Sequence, residues 1–275
     1  MDHLRRELAP ITDAAWVLID EEARTSLGHY LAARALVDFS GPHGWDHSAE
    51  SLGRVRPSTH STPSTHSPVE GVVADIRTCL PLVELRTPFE LSLSELDSAD
   101  RGAPDPDLSA LTEAARLAAL AEDRALFDGY EDAEMAGIAS GSPHDPLPID
   151  DDYHKYPGVV ASAVAELRRA GIGGPYAIAL GSRCYTGVIE TTEHGGYPVL
   201  NHVKLILGGP VVWAPAVDGA VVVSQRGGDY ELVSGQDLSI GYRGHTEDEV
   251  HLYLEESLTL RVHEPKAAIA LRYPG

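Results

Sequence analysis

Cysteine is almost missing from this chain: Cys79 and Cys184 are the two among 275 residues, far apart and in no C-x-x-C spacing. A disulfide framework and a zinc ribbon are therefore both unsupported. Basic residues are also scarce. Lys and Arg number 21 against 42 Asp and Glu, a formal charge of −21 with a pI near 4.8. Such a field repels phosphate backbones, so no nucleic-acid partner is expected, and copies of the chain repel one another. Any assembly must be held by large apolar or strand-exchanged interfaces. Long hydrophobic runs are missing too. The most apolar stretch, 203–223, is broken by Lys204, Gly208, Gly209, two prolines and Asp218, and cannot span a bilayer. The start, MDHLRRELAPITDAAW, carries charge where a signal peptide needs an apolar core. The expected setting is cytoplasmic, with no membrane partner. Hydrophobic residues at 43% and charged residues at 23% are ordinary globular usage, which excludes wholesale disorder.

Along the chain, Thr12 is a cap candidate for a helix running to about residue 35, with Trp16, Ile19, Ala23, Leu27, Tyr30 and Leu31 near one face. The turn-rich GPHGWDHSAESLG follows. Then comes a tandem duplication, PSTHST and PSTHS, closed by Pro68. Proline at every sixth position forbids a helix or a central strand, so 57–68 reads as an extended tip. Residues 69–76 are strand-like, and Val83, Leu85, Thr87, Phe89 and Leu91 alternate with polar neighbours, Pro88 placing that strand at an edge. A long two-stranded arm is built to lie across a neighbour.

Residues 107–130 read as a long Ala/Leu helix, with Asp107 as cap and Gly129 near the end. Further helices are expected at 157–170, 182–190 and 197–207, with a strand at 176–180. Six strands are expected at 220–225, 230–233, 237–242, 250–255, 258–263 and 267–273. Helices and strands mix without a βαβ rhythm, which indicates an α+β fold.

No chemistry-bearing motif emerges. G-x-S-x-G, G-x-G-x-x-G, a Walker loop and H-E-x-x-H are absent, and no Glu precedes a His by three. His43, His47, His60 and His66 are better read as a solvated loop than as metal ligands. Asp150, Asp151 and Asp152 with His154 read as a solvated charge run. Glu122, Asp123 and Arg124 read as a surface ion-pair face, and Cys184 as a buried inert thiol. No metal site and no catalytic residue are expected; the chain is not read as an enzyme.

The segments RRELAPIT-x-x-x-W, GPHGWDHSAESLG, LPLVELRTPFELSLSELD, AEDRALFDGY, GIGGPYAIAL, RGGDYELVSGQDLSIGY and HLYLEESLTLRV, in that order, together resemble a family 1 encapsulin, the linocin-like bacterial nanocompartment shell protein. The resemblance runs from Met1 to about Leu271. It implies the tailed-phage major capsid fold of the Hong Kong 97 type. The division implied is an N-terminal helix and start of the P-domain at 1–40, an E-loop at 41–95 and the P-domain with its spine helix at 96–152. An A-domain at the fivefold axis would take 153–217, and the P-domain sheet and C-terminus 218–275. A self-assembling, hollow icosahedral shell of sixty copies (T=1) is implied.

In that family a cargo enzyme docks through a short C-terminal peptide in an apolar groove between the N-terminal helix and the P-domain sheet. Carried onto this sequence, the groove residues are Leu27, Leu31, Arg34, Val37, Asp38, Leu232 and Ile240, leucines taking apolar side chains and the charged pair setting orientation. The family suggests a dye-decolourising peroxidase, or a ferritin-like or hemerythrin-like iron protein, as cargo for oxidative stress or iron storage. The turn TTEHGGYP matches the family's fivefold pore loop, with Glu193, His194, Gly195, Gly196 and Tyr197; copies of Glu193 and His194 would form a ring whose charge changes near pH 6–7. Some members bind flavin on an E-loop tryptophan. Ser94 stands at the matching position, so no cofactor is expected. A prophage capsid packaging DNA, and a bacteriocin or hydrolase, are the alternatives, disfavoured respectively by the acidic charge and by the missing nucleophile motifs.

Overall fold

Thr12 sets the start of the first helix. Its hydroxyl accepts from the Ala15 N–H at 3.1 Å, and helix α1 spans Asp13–Tyr30. The computed structural model describes residues 3–57, 69, 72, 74–193 and 195–274. The helix stops short of the expected residue 35. The cause is a buried carboxylate: Asp123 accepts the N–H groups of Ala32 and Ala33 at 2.9–3.2 Å. These donors would otherwise continue the helix, and the chain turns instead through a 3-10 segment, Ala33–Ala35.

Strands β1 (Asp38–Ser40), β2 (Ala49–Pro57), β3 (Asp75–Pro81) and β4 (Val83–Ser92) follow, then helices α2 (Leu93–Asp100) and α3 (Ser109–Asp128). Asp107 sits just ahead of α3, where its carboxylate accepts from the Ser109 N–H at 2.9 Å. The helix closes at Gly129, whose φ of +82° admits little but glycine. The rest of the chain carries β5 (Leu147–Pro148), α4 (Tyr156–Arg169), β6 (Tyr176–Leu180), α5 (Ser182–Glu190), α6 (Val199–Leu207), β7 (Val211–Trp213), β8 (Ala220–Ser224), β9 (Tyr230–Ser234), β10 (Ser239–His245), β11 (Glu249–Val262) and β12 (Ala268–Arg272).

One sheet has the order β1-β9-β11-β10, with β4 also paired to β11. Two strands were expected over 250–263; β11 is one long strand. The two polar residues between the expected strands, Glu256 and Ser257, are accommodated inside it. Glu256 is buried against Arg34, and the Ser257 hydroxyl accepts from the Gln236 N–H at 2.8 Å. β4 shows the expected alternation, with Phe89 and Leu91 buried, and pairs with β11 alone among the described strands. Pro88 is tolerated at that edge.

The projecting arm is β2 with β3, rather than 69–76 with 83–91. β2 escapes a period-two reading because its register shifts between Ser51 and Val55, with Gly53 in between. The tip 58–68 lies outside the described residues. The second sheet runs β5-β12-β8-β6-β7. β8 and β12, both within 218–275, lie in this sheet beside β6, while β9, β10 and β11 lie in the first. All three are wholly apolar or nearly so and buried at almost every position, so they need a sheet covered on both faces.

Two cores result. Ile19, Ala23 and Leu27 of α1 meet Leu111, Ala115 and Ala119 of α3 over Phe89, Ile240 and Leu252 of the first sheet. Leu167, Val203 and Leu207 from α4 and α6 cover Ile178, Val222 and Ile269 of the second. No helix among the described residues is long and apolar enough to cross a membrane.

Candidate functional site

The C-terminal half of α1 and the start of β10 do not close on each other. They leave a groove of about 460 Å³. Leu27, Leu31 and Gly28 form one wall; Leu238, Ser239 and Ile240 form the other, with Leu4 and Leu254 at the base. Leu27 and Leu31 share this wall because a spacing of four repeats a helix face. Four of the seven expected groove residues therefore come together here: Leu27, Leu31, Arg34 and Ile240. The other three do not. Leu232 is 1% exposed, inside the core at the centre of β9. Val37 and Asp38 line a separate, small depression with Gln225 and Tyr230, where Asp38 accepts from the Gly228 N–H at 2.6 Å. The short turn after α1 carries them away from the groove.

The rim is charged. Arg6 pairs with Asp20 at 2.8 Å and stacks over Trp16, and Arg24 lies exposed one turn before Gly28. Arg34 is the most connected. Its guanidinium donates to Glu122 at 2.7–3.0 Å, to Asp237 at 2.9 Å and to Glu256 at 3.3 Å. Burial works against the charge, but the Glu122 hydrogen bond with the Asp237 and Glu256 carboxylates more than restores it. Glu122 and Asp123 are thus not a surface ion-pair face: both are fully buried, and only Arg124 faces solvent. Burial pushes the Asp123 carboxyl up to about 7, against the stabilising N–H groups of Ala33 and Ala32.

Of the lining residues, Ala23 and Arg24 continue the Leu27–Leu31 spacing backward and were legible from it. Asp237, Leu238 and Leu254 were not, since only the crossing of α1 over β10 and β11 brings them in.

The second candidate, the turn between α5 and α6, is closed by its own backbone. Glu193 N–H donates to the Tyr197 carbonyl at 2.7 Å and Gly196 N–H to the Glu193 carbonyl at 2.9 Å. Gly195 and Gly196 both have positive φ, as the turn requires. The Glu193 carboxylate is held by His202 Nδ1 of α6 at 2.7 Å, a partner that nothing local in the sequence indicated. Tyr197 is half-exposed, and His194 lies outside the described residues.

Elsewhere, Asp150 and Asp152 pair with Lys155, and Asp151 with Arg183. Ser94 lies in the first turn of α2, its hydroxyl 2.8 Å from that of Ser92. The Cys184 thiol is buried, 3.2 Å from the Tyr273 hydroxyl. No group of three or more metal-ligating side chains is assembled among the described residues.

Residues 1–259 match the family described as an encapsulating protein for peroxidase. The type 1 encapsulin shell protein of Rhodospirillum rubrum is 48% identical over 272 residues, covering 99% of this chain and 97% of that one. The type 1 encapsulin shell protein of Mycobacterium tuberculosis is 42% identical over 273 residues, 99% and 100% of the two chains. Among solved structures, the virus-like particle from Pyrococcus furiosus superposes with a TM-score of 0.65 at 17% identity, covering 92% of this chain and 97% of that one. The capsid of Myoviridae phage XM1 gives 0.54 at 12% identity, over 88% and 91%. At those identities the likeness is one of fold. The fold is the α+β capsid-subunit fold of the Hong Kong 97 type.

Proposed function

The chain belongs to the family of type 1 encapsulin shell proteins, and from that premise we propose that it is a non-enzymatic subunit of a hollow icosahedral compartment of sixty equivalent copies, free in the cytoplasm, that stores an enzyme. The observation that carries this reading is the near-complete alignment with shell proteins at 42–48% identity, over 272 and 273 residues. The capsid-type fold supports it independently.

The groove between α1 and β10 is the docking place for the stored enzyme. A short apolar C-terminal peptide laid along it would bury leucines against Leu27, Leu31, Leu238 and Ile240, while Arg24 and Arg34 hold its orientation. A dye-decolourising peroxidase or a ferritin-like iron protein is the proposed occupant, and the Glu193 turn the proposed lining of the fivefold opening.

Expression of the chain alone, followed by size-exclusion chromatography and negative-stain electron microscopy, tests the shell. Uniform hollow particles are the expected result; a monomer or small oligomer would leave only the fold standing. Co-expression with a reporter protein carrying a Leu/Gly-rich C-terminal tail tests the docking, with the untailed reporter as control.

A further inference from the structure

Arg34 forms part of the groove wall, and behind it three carboxyl groups share its single positive charge. Glu122 accepts from Nε and one terminal nitrogen, Asp237 from the other terminal nitrogen, and Glu256 shares the first terminal nitrogen with Glu122. Glu122 is fully buried and Glu256 is 2% exposed. Oε1 of Glu256 is buried with no hydrogen-bond donor in reach. An ionised carboxylate there would put a second buried negative charge beside Glu122 on the one charge of Arg34, with one of its oxygens left without a donor, which is costly. A proton on Glu256 removes the charge and turns the orphan oxygen into a donor toward Glu122, giving an acid–carboxylate pair.

Arg34 is the cation these carboxyl groups share. From α3 come Glu122 and Asp123, from the turn after α1 Arg34, and from the segment before β10 Asp237. From β4 the residue opposite Glu256 is Leu85, while Arg86 and Glu84 gather with Glu255. Burial, then the Glu122 charge, holds the Glu256 carboxyl well above the usual carboxylate range, with Arg34 opposing.

We propose that occupancy of the groove is coupled to proton uptake by this buried carboxyl pair, so that a docked apolar segment binds more tightly as the pH falls. The inference rests on the docking reading above. Arg34 and Asp237 are still partly exposed, at 23% and 39% of their side chains, so water in the empty groove solvates the edge of the cluster. An apolar segment seated there displaces that water. Desolvation disfavours the charged form of a carboxyl, so the filled groove holds its proton to higher pH than the empty one. Linkage then requires affinity to fall as pH rises between those two points, by at most about tenfold per pH unit for one proton.

The experiment reassembles denatured shells at about pH 6 and about pH 8.5, where pH-linked occupancy is read as loading. Shells form around an excess of a small reporter protein with an uncharged Leu/Gly-rich C-terminal tail, and reporters per shell are counted. Wild-type shells are expected to load roughly threefold or more reporter at the lower pH, within the one-proton limit. Glu256→Gln, which imitates the protonated acid and still accepts from Arg34, is expected to load equally at both. A flat wild-type profile, or the same slope in Glu256→Gln, overturns the coupling while leaving docking intact. Loading no better than the untailed reporter at either pH removes the docking reading and the coupling with it. Infrared difference spectra of Asp123→Asn shells without reporter, in which Asp123 cannot contribute a carboxyl band, keep the Glu256 proton itself testable should the Glu256 variant fail to fold. A protonated-carboxyl C=O band at neutral pH is expected, and its absence overturns the buried proton.

Discussion

Leu31 is half-buried on the groove wall beside Leu27, packed at the edge of the first core with part of its side chain facing the groove. An aspartate there would place an unpaired charge against any apolar segment. Leu31→Asp is expected to assemble normally and to lose tenfold or more of its co-purifying tailed reporter, a loss set by the cost of burying that charge, about 1.4 kcal/mol or more. Reporter retained at wild-type stoichiometry would remove Leu31 from the docking site. Asp123 makes a prediction of a different kind. Its folded pKa of about 7 lies above the ordinary carboxyl value, so the folded state binds the extra proton. The stability this confers is complete below the unfolded pKa of about 3.9 and is lost as pH rises through neutrality. Asp123→Asn keeps a carbonyl to accept the Ala32 and Ala33 N–H groups but has nothing to titrate. Denaturation midpoints measured from about pH 4 to about pH 8 are therefore expected to fall more for wild type than for Asp123→Asn. Parallel profiles would show that the carboxyl is not the titrating group.

Where strands β8 and β12 lie side by side, the chain enters β8 through Gly219. Its φ is +83°, and a Cβ there would collide with the Leu271 carbonyl oxygen. Gly171 has nearly the same φ, +81°, with open space around it. The two separate backbone strain from steric exclusion. Gly171→Ala is expected to cost about 1 kcal/mol for its left-handed conformation alone. Gly219→Ala is expected to cost roughly 3 kcal/mol or more, since the collision adds to the strain and the sheet has to give way. Equal losses in chemical denaturation would mean that β12 yields easily. The same element explains a limit of pattern reading. Residues 220–224 and 268–272 announce themselves as buried strands by unbroken apolar runs, yet nothing in a run tells which sheet it joins. β2 fails for the opposite reason, because its bulge destroys the alternation that identifies a strand.

Across the whole molecule, a formal charge of −21 means that every subunit contact in a shell is made against electrostatic repulsion. Screening shortens the reach of that repulsion to about 10 Å at 0.1 M salt and about 3 Å at 1 M. Particle formation from denatured subunits, followed by light scattering, is expected to be faster at the higher salt. Slower assembly at high salt would instead point to contacts carried by ion pairs between subunits.

The sequence by itself determined the starts and ends of most helices, the edge character of β4, the α+β class and the family. These depend on local chemistry: caps, glycines, alternation, and an ordered set of motifs. The tertiary structure decided what sequence spacing leaves open. Asp123 ends α1 from about ninety residues away in the chain, at separations of 90 and 91. Val37, Asp38 and Leu232, close in sequence or strand to the groove, lie outside it, while Asp237 and Leu254 lie inside. Glu122, which read as part of a surface ion-pair face, is buried with Glu256 on Arg34. Burial of a charge depends on which elements cross above it, and a linear pattern does not record crossings.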